Sequence, residues 1–142
     1  MKIGFIGTGI MGKPMAENLQ KAGHTLYFSE HYNKAPAELL GDNGIALATP
    51  KAVAEAAEVI ITMVPDTPQV EDVIFGENGI AEGLSAGKIV VDMSSISPIA
   101  TKDIAKRVNE TGADFLDAPV SGGEVGAINA TLTIMVGGEQ SV

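Results

Sequence analysis

Cysteine is absent from the 142-residue chain, which excludes disulfides and thiolate-ligated metals. The two histidines, His24 and His31, are isolated in sequence and do not make a zinc site. Basic residues are scarce: nine Lys and Arg stand against eighteen Asp and Glu, for a formal net charge of -9. No basic run appears anywhere, so a nucleic-acid partner has no electrostatic footing. The acidic residues are dispersed rather than gathered in a tail, as on an ordinary solvated surface. No apolar run reaches membrane-spanning length, so no membrane partner is expected. No signal peptide precedes the first apolar run, which begins at Ile3, and the expected compartment is the cytoplasm.

What is present is a moderately apolar chain, 45% hydrophobic, of a size that suits one domain with a real core. Short apolar runs alternate with helical patterns, the signature of an α/β domain built on a parallel sheet. Strands are expected at 2–6, 25–29, 45–48, 59–64, 89–93, 115–118 and 132–136. Helices are expected at 10–21, 34–40, 50–57, 68–75 and 98–111, with surface turns at 41–44 and 76–87. Thr49-Pro50 and Ser97-Pro98 each set a capping hydroxyl ahead of a proline at the first helical position. Gly23 and Gly112 fall where helices should stop in a left-handed cap. The fold class that follows is a Rossmann-type, doubly wound, mainly parallel sheet in a single domain.

The sharpest motif is Gly7-Thr8-Gly9-Ile10-Met11-Gly12, placed between the first strand and the first helix. Alone, G-x-G-x-x-G is a weak signal; in this position it is the layout that holds a dinucleotide pyrophosphate. Gly7 permits the tight turn, Gly9 allows close approach to the phosphates, and Gly12 lets the helix pack on the strand. The helix N-terminus then supplies free N–H groups and a partial positive charge.

Ligands of such sheets bind beyond the carboxyl ends of the strands. The segments there are rich in small, polar or backbone-exposing residues. Glu30 ends the second strand, 18 residues after Gly12, where a carboxylate can accept hydrogen bonds from both adenosine ribose hydroxyls and so favours NAD over NADP. Its alternative is a plain surface carboxylate. His31 and Lys34 stand where they would partly neutralise a 2′-phosphate. Met63-Val64-Pro65 turns sharply and offers an apolar wall to a cofactor groove, and Gln69 at the head of the next helix can hydrogen-bond adenine or ribose. Ser95 is placed for the nicotinamide ribose or a substrate carboxylate. Ser97 reads as a helix cap, and Asp92, within a strand, as a partner for local backbone donors. Ser121 with Gly122 and Gly123 forms a candidate nest for a small carboxylate.

Four stretches carry a resemblance: Gly4 to Met15, Met63 to Pro68, Asp92 to Pro98, and Asp117 to Gly123, with Thr131 to Gly138 following in order. Together they resemble the N-terminal domain of the β-hydroxyacid dehydrogenase family. The resemblance implies hydride transfer between NAD or NADP and a small semialdehyde or β-hydroxy acid. It implies that Gly7, Gly9, Ile10, Met11 and Gly12 hold the pyrophosphate, with Thr8 in the same loop. Glu30 and His31 would meet the adenosine ribose, and Met63, Val64, Pro65 and Gln69 would line the groove. Ser95 would sit near the nicotinamide, and Ser121, Gly122 and Gly123 would bind the substrate carboxylate. His31 departs from the arginine many relatives place after the second strand, which weakens an NADP reading. The family's proton donor is a lysine of a C-terminal helical domain, expected beyond residue 142; none of the lysines present matches its motif. A full-length enzyme of this kind is expected to be a homo-oligomer. The competing reading is a dinucleotide-binding module without catalysis.

Overall fold

Six short runs, each with an apolar centre, form strands that lie side by side in the computed structural model, which describes residues 1–31, 34–139 and 141–142. They are β1 (Lys2–Ile6), β2 (Thr25–Ser29), β3 (Gly44–Leu47), β4 (Val59–Thr62), β5 (Ile89–Asp92) and β6 (Asp114–Asp117). Their spatial order is β3-β2-β1-β4-β5-β6, and every neighbouring pair is parallel. This is a Rossmann sheet, whose order reverses between β1 and β4.

Because side chains alternate across a strand, each run feeds two cores at once. On one face Ile60, Val90 and Phe115 pack with residues of α2 (Pro50–Ala56), α3 (Thr67–Phe75) and α4 (Pro98–Asn109). On the other, Ile3, Phe5, Leu26, Phe28 and Ile61 pack with α1 (Gly12–Lys21) and α5 (Gly123–Asn129). Both faces are covered, as an all-parallel sheet requires.

Local chemistry sets the boundaries. Thr49 Oγ1 accepts from the Ala52 N–H at 3.2 Å and caps α2 as its Thr-Pro sequence predicts. Asp66 does the same for α3, its Oδ1 accepting from Thr67 N–H at 2.7 Å. Lys88 donates to the carbonyls of Ala54, Glu55 and Ala57, closing the C-terminus of α2 with a cation where the helix dipole favours one. Gly23 and Gly112 both take positive φ at helix ends, as expected.

Four expectations are corrected. The helix predicted at 34–40 is only a 3-10 turn, Ala37–Leu39, because Pro36 enters with extended ψ. The stretch 76–87 is not all surface: it contains a 3-10 turn, Ile80–Gly83, that buries Ile80 completely. Ser97 occupies the N-cap position of α4 but its side chain makes no capping bond. The strand expected at 132–136 shrinks to β8 (Thr133–Ile134), which pairs antiparallel with β7 (Val120–Ser121) in a separate ribbon. Among the described residues no helix is long and apolar enough to cross a membrane.

Candidate functional site

The strand register lines up the carboxyl ends. Ile6 pairs with Thr62, Thr62 with Asp92, and Asp92 with Asp117. The ladder runs one bond further: Met63 N–H donates to Ile6 O, Met93 N–H to Thr62 O and Ala118 N–H to Asp92 O, each at 2.8 Å. The segments that follow therefore leave from one rim, next to the switch point. Gly7 to Gly12, Met63 to Pro65, Ser94 and Ser95, and the turn through Ser121, Gly122 and Gly123 all start there. Glu30 and His31 follow β2 on the same rim, and Gln69 is an exposed residue in the first turn of α3.

The glycine loop divides by cause. Gly7 has φ +104 and a Cβ on it would lie 2.0 Å from Met63 O. At Gly12 a Cβ would meet Gly7 O at 1.7 Å and Phe5 at 3.1 Å, so this glycine lets α1 start directly against the turn. Gly9 is different. A Cβ there meets nothing within 4 Å, and the residue is exposed. The fold leaves open space at the tip of the loop, beside the N–H groups that a helix start leaves without intrahelical partners. Thr8 and Met11 are half-buried, and Ile10 is 72% exposed.

Glu30 is exposed, and its Oε2 accepts from Ala35 N–H at 3.1 Å. His31 N–H donates to Ser29 Oγ at 3.3 Å. On the other side of β1, a buried polar network joins β4 to β5. Thr62 Oγ1 donates to Asp92 Oδ1 at 2.8 Å, Ser94 N–H donates to the same oxygen at 3.1 Å, and Val64 N–H donates to Ser94 Oγ at 2.9 Å. Asp92 Oδ2 is buried with no hydrogen-bond partner. Burial raises the Asp92 pKa, opposed by the bonds from Ser94 and Thr62. Burial also raises Asp117, and the neighbouring Asp92 charge adds to it. Ser95 itself is exposed.

Sequence reasoning singled out Ser95 and passed over Thr62 and Ser94, the two residues that hold the rim together from below. Their signal was a hydroxyl at the end of an otherwise apolar strand, and a second one two residues after a strand-borne aspartate. The turn after β6 was read as a nest alone; it opens into α5, which Asn18 ties to α1 through a 2.6 Å bond to Ala127 O. Between the glycine loop and α5 lies a cleft of about 410 Å³ lined by Thr8, Gly9, Ile10, Lys13, Glu124 and Ile128. Lys13 pairs with Glu38 at 3.6 Å. A second cavity, about 420 Å³, is apolar and lies against the sheet face at Phe5, Ile61, Val91 and Leu116; it contains none of the predicted site residues. Among the described residues no cluster of His, Asp or Glu is arranged to hold a metal.

Comparison with known proteins gives a consistent pattern. Residues 2–142 match the model of the NAD binding domain of 6-phosphogluconate dehydrogenase. The chain is 56% identical, over its whole length, to 2-hydroxy-3-oxopropionate reductase of Escherichia coli K12, covering 48% of that protein. A solved Mycobacterium tuberculosis 3-hydroxyisobutyrate dehydrogenase with L-serine superposes with a TM-score of 0.85 at 34% identity, over 99% of this chain and 47% of that one. A structure described as Psf3 in complex with NADP+ and 2-OPP superposes at 0.88 with 27% identity, over 98% of this chain and 49% of that one. The chain thus spans about half the length of the curated relatives it matches.

Proposed function

The chain belongs to the family of NAD binding domains typified by 6-phosphogluconate dehydrogenase, and on that premise we propose that it is the cofactor-binding N-terminal domain of an NAD(P)-dependent β-hydroxyacid reductase. The reaction favoured is reduction of 2-hydroxy-3-oxopropanoate to glycerate, on the strength of the 56% identity to a reductase of that name. The observation that carries the cofactor reading is Gly9, a glycine at the loop tip where the protein itself fills no space.

In this reading Gly7, Thr8, Gly9, Ile10, Met11 and Gly12 hold the pyrophosphate against the start of α1. Glu30 accepts from the adenosine ribose, with His31 beside it, and Met63, Val64, Pro65 and Gln69 line the groove. Ser95 faces the nicotinamide end, and Ser121, Gly122 and Gly123 take the substrate carboxylate. When bound, the nicotinamide supplies the hydride. The developing alkoxide needs an acid. Lys88 donates to three carbonyls at the end of α2, and the resemblance to the β-hydroxyacid dehydrogenases assigns the proton donor to a lysine of a helical C-terminal domain, beyond residue 142. A second substrate, a 3-hydroxyisobutyrate-like acid, is supported by the 34% identical dehydrogenase, since a carboxylate nest does not choose between a methyl and a hydroxyl neighbour.

Titration of the chain with NADH and NADPH by nicotinamide fluorescence tests the cofactor reading. NADH is expected to bind, and to bind about tenfold or more tightly than NADPH, because Glu30 and a 2′-phosphate repel. Exclusive binding of NADPH overturns the role given to Glu30. No glycerate formation is expected from residues 1–142 alone, and turnover by them would sink the assignment of the acid to another domain.

A further inference from the structure

We infer that Asp92 is a positioning residue for the nicotinamide half of the groove: it clamps the end of β4 to the end of β5 and so fixes the Val64 loop against the Ser95 loop. The inference rests on the cofactor reading above and adds a residue that does not itself reach the rim. Asp92 is fully buried, so it touches neither solvent nor a ligand in the groove. One of its oxygens accepts from two strands at once, from Thr62 of β4 and from the Ser94 N–H that follows β5. Ser94 in turn accepts from Val64 N–H. Three bonds therefore connect the segment before Pro65 to the segment before Ser95: two end on Asp92 Oδ1, and the third joins Val64 to Ser94, whose own N–H that oxygen holds.

The cost of this arrangement is visible. Oδ2 is buried without a partner, a penalty that an apolar side chain would avoid. An apolar side chain, however, would leave the Thr62 hydroxyl and the Ser94 N–H without acceptors, and the two loops would lose their tie. An oxygen acceptor at this point matters to the site more than to the core.

The sheet order gives the clamp a direction. β2, with Glu30, lies on one side of β1; β4 and β5 lie on the other. A dinucleotide laid across the switch point with its adenosine at Glu30 has its nicotinamide over β4 and β5. Disturbing Asp92 should then weaken grip on the nicotinamide half and spare the adenosine half.

The test uses the chain itself, wild type, Asp92→Leu and Asp92→Asn, titrated with NADH and with ADP-ribose, which lacks the nicotinamide. Asp92→Leu is expected to weaken NADH about tenfold or more, with ADP-ribose held within about twofold. Asp92→Asn keeps an oxygen acceptor and is expected to restore NADH affinity to within about threefold of wild type. Equal losses for the two ligands, or an asparagine no better than leucine, overturn the inference. If wild type binds neither ligand, the cofactor reading has failed on its own. Hydrogen exchange then reads the clamp directly. The Val64 amide should exchange about tenfold faster in Asp92→Leu, while the Glu30 amide, bonded to Leu47 O, should not change. An unaltered Val64 rate overturns the clamp. Should Asp92→Leu not fold, Ser94→Ala removes Val64's acceptor and carries the same comparison of NADH against ADP-ribose.

Discussion

Two glycine turns leave the same rim of the sheet, one after β1 and one after β6, and they owe their glycines to different causes. After β6, Gly122 and Gly123 both take positive φ, +129 and +61. The turn into α5 requires them whatever it binds. After β1, Gly7 and Gly12 are likewise required, each by a carbonyl that a Cβ would strike. Gly9 is required by nothing in the protein. A glycine that the fold demands is silent about ligands, whereas one that the fold does not demand needs an outside reason. The proposed phosphate site therefore rests on a glycine in the first turn that the fold leaves unexplained, whereas the proposed carboxylate site rests on position alone.

The largest effect is expected at Gly12. Gly12→Ala would put a methyl 1.7 Å from Gly7 O, and backbone cannot yield as a flexible side chain does. A loss of about 3 kcal/mol is expected, seen as a fall in thermal midpoint of roughly 6–10 °C. A variant as stable as wild type would show that the close approach of α1 to the turn is not what Gly12 is for.

The next pair sharpens the contrast. Gly122→Ala forces an alanine into φ +129 and is expected to cost about 1–3 kcal/mol, with dinucleotide affinity close to wild type once the protein is folded. Gly9→Ala should do the opposite: stability within about 0.5 kcal/mol, and NADH affinity down about tenfold or more, because the added methyl occupies the phosphate's place. Unfolding curves and NADH titrations on both variants decide it. If Gly9→Ala binds NADH as well as wild type, the difference drawn between the two turns has no functional content.

Much of this was legible in the sequence, and the reasons are local. β1 and β2 were read at their observed bounds because uninterrupted apolar runs ended at a glycine turn and at Glu30. The Thr49-Pro50 start of α2 was read correctly because hydroxyl, proline and helix are all neighbours in sequence. The glycine loop was read as a turn for the same reason. What failed depended on distant partners. The fourth strand is expected to reach Val64, yet β4 ends at Thr62, its last ladder bond is made by Met63 N–H, and Val64 N–H turns to Ser94, thirty residues away. α5 was not expected at all, since its sequence, GEVGAIN, includes two glycines that weaken a helix. It is held by Asn18 from α1 and by burial of Gly126 and Ala127. Ser97-Pro98 looks like Thr49-Pro50, but only the threonine makes the capping bond. The candidate site divides the same way: its rim segments are readable one by one, as is Asp92 as a partner for a local backbone donor, the Ser94 N–H, but the tie that Asp92, Thr62 and Ser94 make between two of those segments is not.

The smallest effect is one of pH, and it also separates the two turns. Asp117 ends β6, at the base of the second turn, and pairs in register with Asp92; no titratable group ends β1. Burial, with the Asp92 charge added, raises the Asp117 pKa above its ordinary value of 3.8. A raised value means that the folded state holds this proton more tightly than the unfolded chain. The stabilisation is complete below pH 3.8 and is lost as pH rises through the elevated folded-state value, so at neutral pH the ionised carboxylate is a burden on the fold. Asp117→Asn removes it. The variant should melt higher than wild type at pH 7, by about 1–3 °C, given that Asp117 is partly exposed and screened. The gap should close as pH falls towards 3.8, while Gly9→Ala should track wild type at every pH. Parallel curves for Asp117→Asn and wild type would mean that the strain at the second turn is conformational alone, with no share from the carboxylate beneath it.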